Sequence, residues 1–320
     1  MRELVVTRLS LEAQDIIGIE LRDPHGKPLP PFTAGAHVDI HLPHSVVRQY
    51  SLSNAPSERD RYCLGVAHAT ASRGGSSYVH RDLRIGQRVG VDEPRNLFGL
   101  SVGTTRHRFV AGGIGITPIR SMIFECEARG MEWRLFYAVR NRSRAAYLDD
   151  LLALDPARVH LHADDEHGGK PLDVAQALSD VGTDEHVYCC GPSPLMDGVA
   201  NYARSSGWQA RTHFERFGAP VVVSGGSAPS ADTPFTVRLA RRGVDLQVPV
   251  GKSILSVLED NGVSVPSSCR EGLCRTCEVP VLAGAPGHRD YVLSDSEREG
   301  NRSIMICVSR SCSNELVLDL

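Results

Sequence analysis

Three cysteines within nine residues, Cys269, Cys274 and Cys277, followed by Cys307 after 29 further residues, constrain this 320-residue chain more than any other feature. The spacing C-x4-C-x2-C with a distant fourth cysteine is the plant-type arrangement for a 2Fe-2S cluster, in which one tight loop and one later segment enclose two irons with thiolates. A zinc site would favour two matched C-x2-C pairs, and a disulfide framework belongs to short secreted chains. Cys269, Cys274, Cys277 and Cys307 are the expected ligands. Cys312 is the one residue that competes for the fourth position, but Ser311 to Asn314 reads as a surface turn, whereas residues 303–308 read as a strand that aims Cys307 back at the loop. Cys63, Cys126, Cys189, Cys190 and Cys312 remain, an odd and scattered set that fits reduced thiols in a cytoplasmic protein.

A 2Fe-2S centre carries one electron at a time, so the rest of the chain has to explain where electrons come from. The length suggests two or three domains with cores of their own. A formal net charge of -3 gives no basic excess for nucleic acid, and no apolar run approaches the 18 or so residues needed to span a bilayer. Residues 1–15 lack a basic-then-apolar leader pattern. The expectation is a cytoplasmic protein that binds neither nucleic acid nor membrane.

The first hundred residues read as β-rich. Short alternating runs at 4–9, 16–21, 37–42 and 61–67 are separated by turn signals at Asp23 to Gly26, Leu42-Pro43 and Asn54 to Pro56, which suggests a small antiparallel barrel. Within it lie Arg48, Gln49, Tyr50 and Ser51, and 25 residues beyond Arg48 comes Arg73 with the turn Gly74, Gly75 and Ser76. An arginine pairs bidentately with phosphate, a tyrosine ring covers a flat heterocycle, and a Gly-Gly-Ser turn offers N–H groups to an anion. Either motif alone is ordinary, but together they suit a flavin mononucleotide.

From about residue 106 strands and helices alternate, the pattern of a parallel sheet covered on both faces with ligands at the carboxyl ends of its strands. Arg108 to Gly113 reads as a strand entering a glycine turn, and Ile119, Met122, Ile123 and Cys126 follow with helical spacing. Gly112, Gly113 and Gly115 would let the backbone approach a pyrophosphate, and Pro118 suits a first helical turn. This is not the G-x-G-x-x-G fingerprint. Residues 133–140 read as a strand, Arg144 to Leu154 as a helix, and His186 to Cys190 as a strand ending at Gly191 and Pro192. Gly218 to Thr233 has the composition of a linker. Beyond it, residues 234–251 suggest a hairpin, and Ser253 caps a short helix, Ile254 to Asp260, ended by Asn261-Gly262 just before the cysteine loop.

The ordered set Pro30 to Ala36, Arg48-x-Tyr50-Ser51-Leu52, Arg73 to Ser76, Pro94-Arg95-Asn96-x-Phe98, Ala111 to Pro118, Tyr188 to Pro192, Phe214-Glu215-x-Phe217-Gly218 and the closing Glu315 to Leu320 covers essentially the whole chain. It resembles the phthalate dioxygenase reductase family, which includes vanillate demethylase reductases. The resemblance implies a multidomain fold: an FMN-binding antiparallel β-barrel at 1–102, an α/β parallel-sheet NAD domain at 103–220, a linker at 221–232 and an α+β ferredoxin-like (β-grasp) domain at 233–320. It implies FMN contacts from Arg48, Gln49, Gly65, Val66, Ala67, Arg73, Gly74, Gly75, Ser76, Thr117 and Phe217, with Tyr50 and Ser51 beside the ring. It places Gly113, Gly115, Pro118, Arg140, Cys190, Gly191 and Pro192 around the nicotinamide nucleotide. One departure stands out: the family usually has glycine after the second cluster cysteine, where this chain has Arg275, so the loop is either strained or shaped to take a side chain.

Electron counting completes the expectation. A nicotinamide delivers two electrons as hydride, the cluster takes one, and a flavin handles both. The resemblance therefore implies an NADH-dependent oxidoreductase, working as a monomer, that passes electrons through FMN and the 2Fe-2S cluster to a Rieske-type oxygenase, with no side chain acting as acid or nucleophile. NADPH is the less favoured donor, although Arg140, Arg142 and Arg144 lie where a 2'-phosphate would bind. Two other readings use the same domains: a reductase for a cytochrome P450, and a flavin and iron-sulfur carrier without nicotinamide turnover.

Overall fold

The structure is a computed structural model that describes residues 1–43, 46–69, 74–218 and 233–320. These gather into two compact units, Met1–Arg216 and Phe217–Leu320. The first unit opens with six antiparallel strands, β1 (Arg2–Ala13), β2 (Ile16–Arg22), β3 (His37–Leu42), β4 (Val46–Ser51), β5 (Tyr62–Ala67) and β6 (Arg88–Val91). They lie in the order β4-β3-β6-β1-β2-β5, and a bridge between Leu52 and Leu64 joins the two ends into a barrel. The alternation predicted from sequence is what fills it. Leu4 and Val6 of β1 and Tyr62, Leu64 and Val66 of β5 point inward, each worth roughly 1.5–3 kcal/mol of burial. Residues Gly74 to Ser76, expected as a turn, are instead a helix start: Gly74, at φ 92°, is the N-cap, and Gly75 begins α1 (Gly75–Arg81).

The same unit continues as a five-stranded parallel sheet of β7 (Arg106–Gly112), β8 (Glu132–Val139), β9 (Val159–Ala163), β10 (Glu185–Cys190) and β11 (Thr212–Glu215), in the order β11-β10-β7-β8-β9. Helix α2 (Ile116–Arg129) buries Ile119, Met122, Ile123 and Cys126 against Phe109, Tyr188 and Cys190 on one face. After α3 (Leu148–Leu154) and α4 (Val174–Ala177), α5 (Ser193–Ser205) covers the other face, packing Met196 and Val199 on Val110, Val187 and Cys189. The helix expected from Arg144 starts only at Leu148. Arg142–Arg144 make a single 3-10 turn and Tyr147, at φ 59°, breaks the helical path.

Two glycine turns meet where β7 and β10 end. A Cβ on Gly115 would lie 2.1 Å from the Cys190 carbonyl oxygen, and one on Gly191 would lie 2.9 Å from Gly112 Cα and N. Gly113, at φ 53°, faces open space. Bare backbone at Gly115 and Gly191 thus brings the two strand ends together, and only Gly113 keeps an open face.

The second unit holds β12 (Phe235–Leu239), β13 (Val244–Val248), α6 (Ile254–Asp260), β14 (Glu278–Ala283), β15 (Pro286–Gly287), α7 (Asp295–Gly300), β16 (Ser303–Met305), β17 (Arg310–Ser311) and β18 (Glu315–Leu318). Its mixed sheet runs β13-β12-β18-β14-β16, with β15 and β17 paired separately. The hairpin predicted for 234–251 is β12 and β13, and Ser253 caps α6 by accepting from Ser256 N at 3.1 Å. Buried Arg310 ties the unit together from below. It stacks on Phe235 at 5.1 Å and donates to the Thr233 and Pro249 carbonyls at 3.1 and 3.2 Å. Residues 221–232, the expected linker, lie outside the described residues. No helix among the described residues is long and apolar enough to cross a membrane.

The contact between the glycine turns makes a prediction. Gly115→Ala drives a methyl group into a carbonyl and should cost about 3 kcal/mol, whereas Gly113→Ala, with nothing within 4 Å, should cost only its left-handed backbone, about 1 kcal/mol. Denaturation midpoints of the two variants check the order; equal losses would refute it.

Candidate functional site

A cavity of about 1000 Å³ opens in the first unit at the carboxyl ends of β7, β8, β9 and β10, where parallel sheets bind ligands. Of the residues singled out from sequence, Gly113, Arg140, Pro192 and Ala67 line it. Gly115, Pro118 and Cys190 are buried behind it, and Gly191 packs on Gly112. Burial pushes the Cys190 thiol well above its usual range, so it is a neutral group of the core. Asp15, Arg144, Asp164 and Asp173 also border the cavity. Arg144 is paired with Asp15, and the neighbouring Arg142 with Glu166 at 3.2 Å, so two of the three arginines flagged from sequence are already matched by acids.

Asp15, Ile16, Ala67 and His68 of the barrel line this cavity, whereas the other barrel residues expected at the flavin lie outside its lining. Arg48 lies directly on Gly75, where a Cβ would come within 2.5 Å of its Cγ, and Val47 O accepts from Arg48 Nη1 at 2.7 Å. Among the described residues, buried Gln49 Nε2 has no hydrogen-bond partner. Tyr50 is half-buried and its phenol is pushed up to about 12 by that burial. Gly65 is bare because Thr117 Cγ2 and Tyr147 Oη each sit 2.7 Å from where its Cβ would be, which locks β5 to α2 and to the start of α3. The Val66 side chain belongs to the barrel core, leaving only its main chain for other contacts; its carbonyl bonds His80 Nε2 at 2.9 Å. Ser76 Oγ accepts from Ala69 N at 3.3 Å. Arg73 lies outside the described residues, and Phe217 is an exposed residue at the start of the second unit. An arginine lying against the glycine that opens α1, and on the same strand a buried amide N–H with no partner among the described residues, fit a phosphorylated ligand such as FMN.

Glu215, which enters the sequence reading only as part of a motif, lies beside Ser51 and His37 of the barrel. It ends β11 opposite Cys190, with Ser51 Oγ 3.5 Å from Oε2 and His37 Nδ1 3.7 Å from Oε1. Burial raises its pKa to about 8, against the lowering effect of Ser51. Burial, then the charge of Arg95, lowers His37 to about 4, so no cation faces Glu215 from that side. The side chain is a protonated acid at neutral pH. No local pattern marks it, because its burial arises from strands more than 160 residues apart in sequence.

In the second unit the four cysteines form two pairs, with side-chain hydrogen bonding between Cys269 and Cys274 and between Cys277 and Cys307. A single metal ion needs three or more converging ligands, and among the described residues no such group of His, Cys, Asp or Glu occurs. Two thiol pairs suit a two-iron cluster, one pair to each iron. The Glu271 and Leu273 N–H groups point at Cys269 Sγ, each at 3.4 Å, and Cys269 N at Cys274 Sγ at 3.5 Å. Such donors stabilise thiolate ligands. Gly272 is held at φ 72°, where a Cβ would strike Val308 Cγ2 at 2.6 Å and Asp290 Cα at 2.9 Å. Cys307 is buried, but in the turn after β16 and not within a strand; Cys312 is exposed.

Comparison with known proteins agrees with this layout. Residues 237–312 match the family described as a 2Fe-2S iron-sulfur cluster binding domain, and residues 109–201 match the oxidoreductase NAD-binding domain. The chain is 43% identical over 322 residues to a vanillate O-demethylase oxidoreductase of Pseudomonas sp. (strain HR199 / DSM 7063), covering 100% of both chains. It superimposes on the solved phthalate dioxygenase reductase with a TM-score of 0.73 and 40% identity, covering 100% of this chain and 98% of that one. The chain belongs to the phthalate dioxygenase reductase family. It is thus an oxidoreductase with NAD-binding and 2Fe-2S domains. An intact type IV self-sufficient cytochrome P450 monooxygenase also matches, with a TM-score of 0.88 and 36% identity over 100% of this chain and 41% of that longer one.

Two predictions follow from the geometry of this family member. Cys307→Ser should lose the iron while the first unit keeps its ligands, and Cys312→Ser should keep iron; iron and sulfide assays decide, and an iron-free Cys312→Ser protein would reverse the ligand choice. The second concerns Glu215. Its raised pKa means that its contribution to stability is fully present below about pH 4.5 and is lost as pH rises through about 8. Glu215→Gln cannot ionise, so its denaturation midpoint should gain on wild type between pH 5.5 and 8.5; a constant difference would show that the carboxyl is not buried as an acid.

Proposed function

We propose that the chain is the NADH-dependent reductase component of an oxygenase system, carrying FMN and a 2Fe-2S cluster and delivering electrons singly to a Rieske-type oxygenase or demethylase. The observation that supports this most is the shared boundary of two sites in the first unit: the nucleotide cavity reaches Ala67 at the end of β5, and the Gly65 region of the same strand is locked to Thr117 at the start of α2. Bound FMN would supply the conversion between two-electron hydride and one-electron chemistry. The residue assignments belong to this proposal, as does the division into 1–102, 103–220, a linker at 221–232 and 233–320.

In this reading Arg48 pairs with the FMN phosphate next to Gly74, Gly75 and Ser76, with Arg73 added from the preceding segment. Gln49 Nε2 donates to the group that relieves its buried N–H, Tyr50 covers the ring, and the main chain at Gly65, Val66 and Ala67 follows its edge. Ser51, Thr117 and protonated Glu215 keep water and negative charge out of the place where hydride is exchanged. Gly113 leaves room for the nucleotide above the end of β7, while Gly115, Pro118, Cys190 and Gly191 hold that turn in place and Pro192 and Arg140 border the bound dinucleotide. Phe217 is assigned to FMN by family likeness alone. The thiolates of Cys269, Cys274, Cys277 and Cys307 hold the cluster that takes up each electron.

The preference for NADH is supported by the acids around the cavity. A 2'-phosphate adds close to two negative charges, and Asp15 and Glu166 already neutralise Arg144 and Arg142, while Asp164 and Asp173 face the same space. The P450 match supports a second reading in which the same electron path serves a haem oxygenase. The relatives named as dioxygenase and demethylase components, matched over their full length, favour the first.

Anaerobic NADH should bleach both the flavin and the iron-sulfur absorption of the purified protein; an unchanged spectrum would make the chain a carrier. Flavin released by heat should co-migrate with FMN. The ratio of kcat/KM for NADH over NADPH should exceed about tenfold, the factor that roughly 1.4 kcal/mol corresponds to, and equal values would show that Arg140 outweighs the surrounding acids.

A further inference from the structure

The cysteine loop holds two arginines in a backbone conformation that side chains avoid. Arg270, directly after Cys269, has φ 58°, and Arg275, directly after Cys274, has φ 56°. Left-handed geometry costs a residue with a side chain about 1–2 kcal/mol, and it persists only where the surroundings hold it. Each arginine is held by a glutamate on a different helix. Arg270 donates to Glu259 of α6 at 3.2 and 2.6 Å. Arg275 Nη2 reaches both carboxylate oxygens of Glu297 on α7, each at 2.8 Å, and the Val292 carbonyl at 3.1 Å. Glu297 is fixed from its other side by Ser294 N at 2.8 Å and Ser294 Oγ at 2.7 Å, the capping box that starts α7.

Arg275 lies between the ligands Cys274 and Cys277, and Glu278 also stands 3.7 Å from Nη1. Its side chain is neither a solvated surface group nor a bare positive charge: it is 29% exposed and matched by two carboxylates. A side chain fastened at three points to α7 and the segment before it fixes the path of the main chain at its own Cα. Three main-chain N–H groups in the same loop, those of Cys269, Glu271 and Leu273, are aimed at ligand sulfurs at 3.4–3.5 Å, a distance at which a small change in path removes the bond.

We propose that Arg275 is a positioning residue for the iron-sulfur cluster: its clasp with Glu297 sets the course of the loop and keeps those N–H groups on the sulfurs of Cys269 and Cys274. This rests on the four cysteines being the cluster ligands. Hydrogen bonds to sulfur and local charge both tune the reduction potential, and the two are separable by sign. Arg275→Gly removes the clasp and relieves the left-handed strain. Glu297→Gln weakens the clasp and removes one negative charge, leaving Arg275 matched by Glu278 alone and the loop more positive. Positioning lowers the potential in both variants, because both lose N–H donors to sulfur. A through-space charge lowers it in Arg275→Gly and raises it in Glu297→Gln.

The test is the midpoint potential and the reduced-state electron paramagnetic resonance spectrum of the full-length holoprotein, with iron release to a chelator as a third readout. Both variants should show a lower potential, an altered spectrum and iron release faster by on the order of fivefold, as expected for a charge-assisted pair. Ser294→Ala breaks the cap but keeps the Arg275 to Glu297 pair, and should match wild type in potential and spectrum. Shifts of opposite sign, or wild-type values in both variants, overturn the proposal. If either variant is purified without iron, far-ultraviolet circular dichroism decides: a folded apoprotein supports positioning, and an unfolded ferredoxin unit overturns it in favour of general stability. Iron that survives Cys307→Ser would sink the ligand assignment instead, independently of the clasp.

Discussion

Nothing projects from Gly115 toward the Cys190 carbonyl, and the working end of the first unit depends on that vacancy. A contact of main chain on main chain does not vary with side-chain rotamers, so it fixes the separation of the ends of β7 and β10 more tightly than packing of flexible groups could. With those ends fixed, Gly113 keeps its open face toward the cavity, Cys190 turns its thiol into the core, and Glu215 on the next strand stands opposite Cys190 with its side chain 14% exposed. The barrel is joined to the parallel sheet by the same device. A Cβ on Gly35 would lie 2.1 Å from the Phe98 carbonyl oxygen and 2.8 Å from Met122 Cε, and Gly65 admits Thr117 and Tyr147.

Charge is managed by neutralisation throughout. Glu215 is buried as an acid, His37 beside it is uncharged, and the arginines of the cysteine loop are each matched by glutamate. Arg120 follows the same rule: it stacks on Phe124 and Tyr147, each at 4.6 Å, pairs with Asp150 at 2.6 Å and donates to the Ser53 carbonyl at 2.9 Å. In a low-dielectric setting an unmatched charge acts over a long range. A protein that handles electrons through bound groups gains from surroundings whose own charge is settled, since the groups then respond to the donor and acceptor and not to a titrating wall.

The most legible parts of the sequence were those with local causes. Period-two alternation gave the barrel strands, helical spacing gave the buried stripe of α2, and Ser253 and Asn261 bounded α6. The structure departs from the local pattern where tertiary contacts override it. Residues 144–147 carry no helix breaker, yet the chain is turned by Tyr147, whose left-handed backbone is held by packing against Gly65 and Arg120. Gly74 to Ser76 looked like a turn because helix α1 is too short to show a period. Cys307 was assigned to a strand because Ile304, Met305 and Ile306 are apolar, but β16 ends at Met305 and a turn follows it.

By itself the sequence determined the cluster type and the order of the barrel, parallel-sheet and ferredoxin-like segments. Ligand spacing and hydrophobic period are properties of a chain read locally, and both survive without coordinates. Only the tertiary structure decided which glycines keep an open face and which meet another piece of backbone, that the Glu215 carboxyl is shielded beside Ser51 and His37, and that Arg275 is clasped by Glu297. Each of these depends on what lies opposite a residue in space, tens to more than a hundred positions away in the chain, and no window of sequence contains that neighbour.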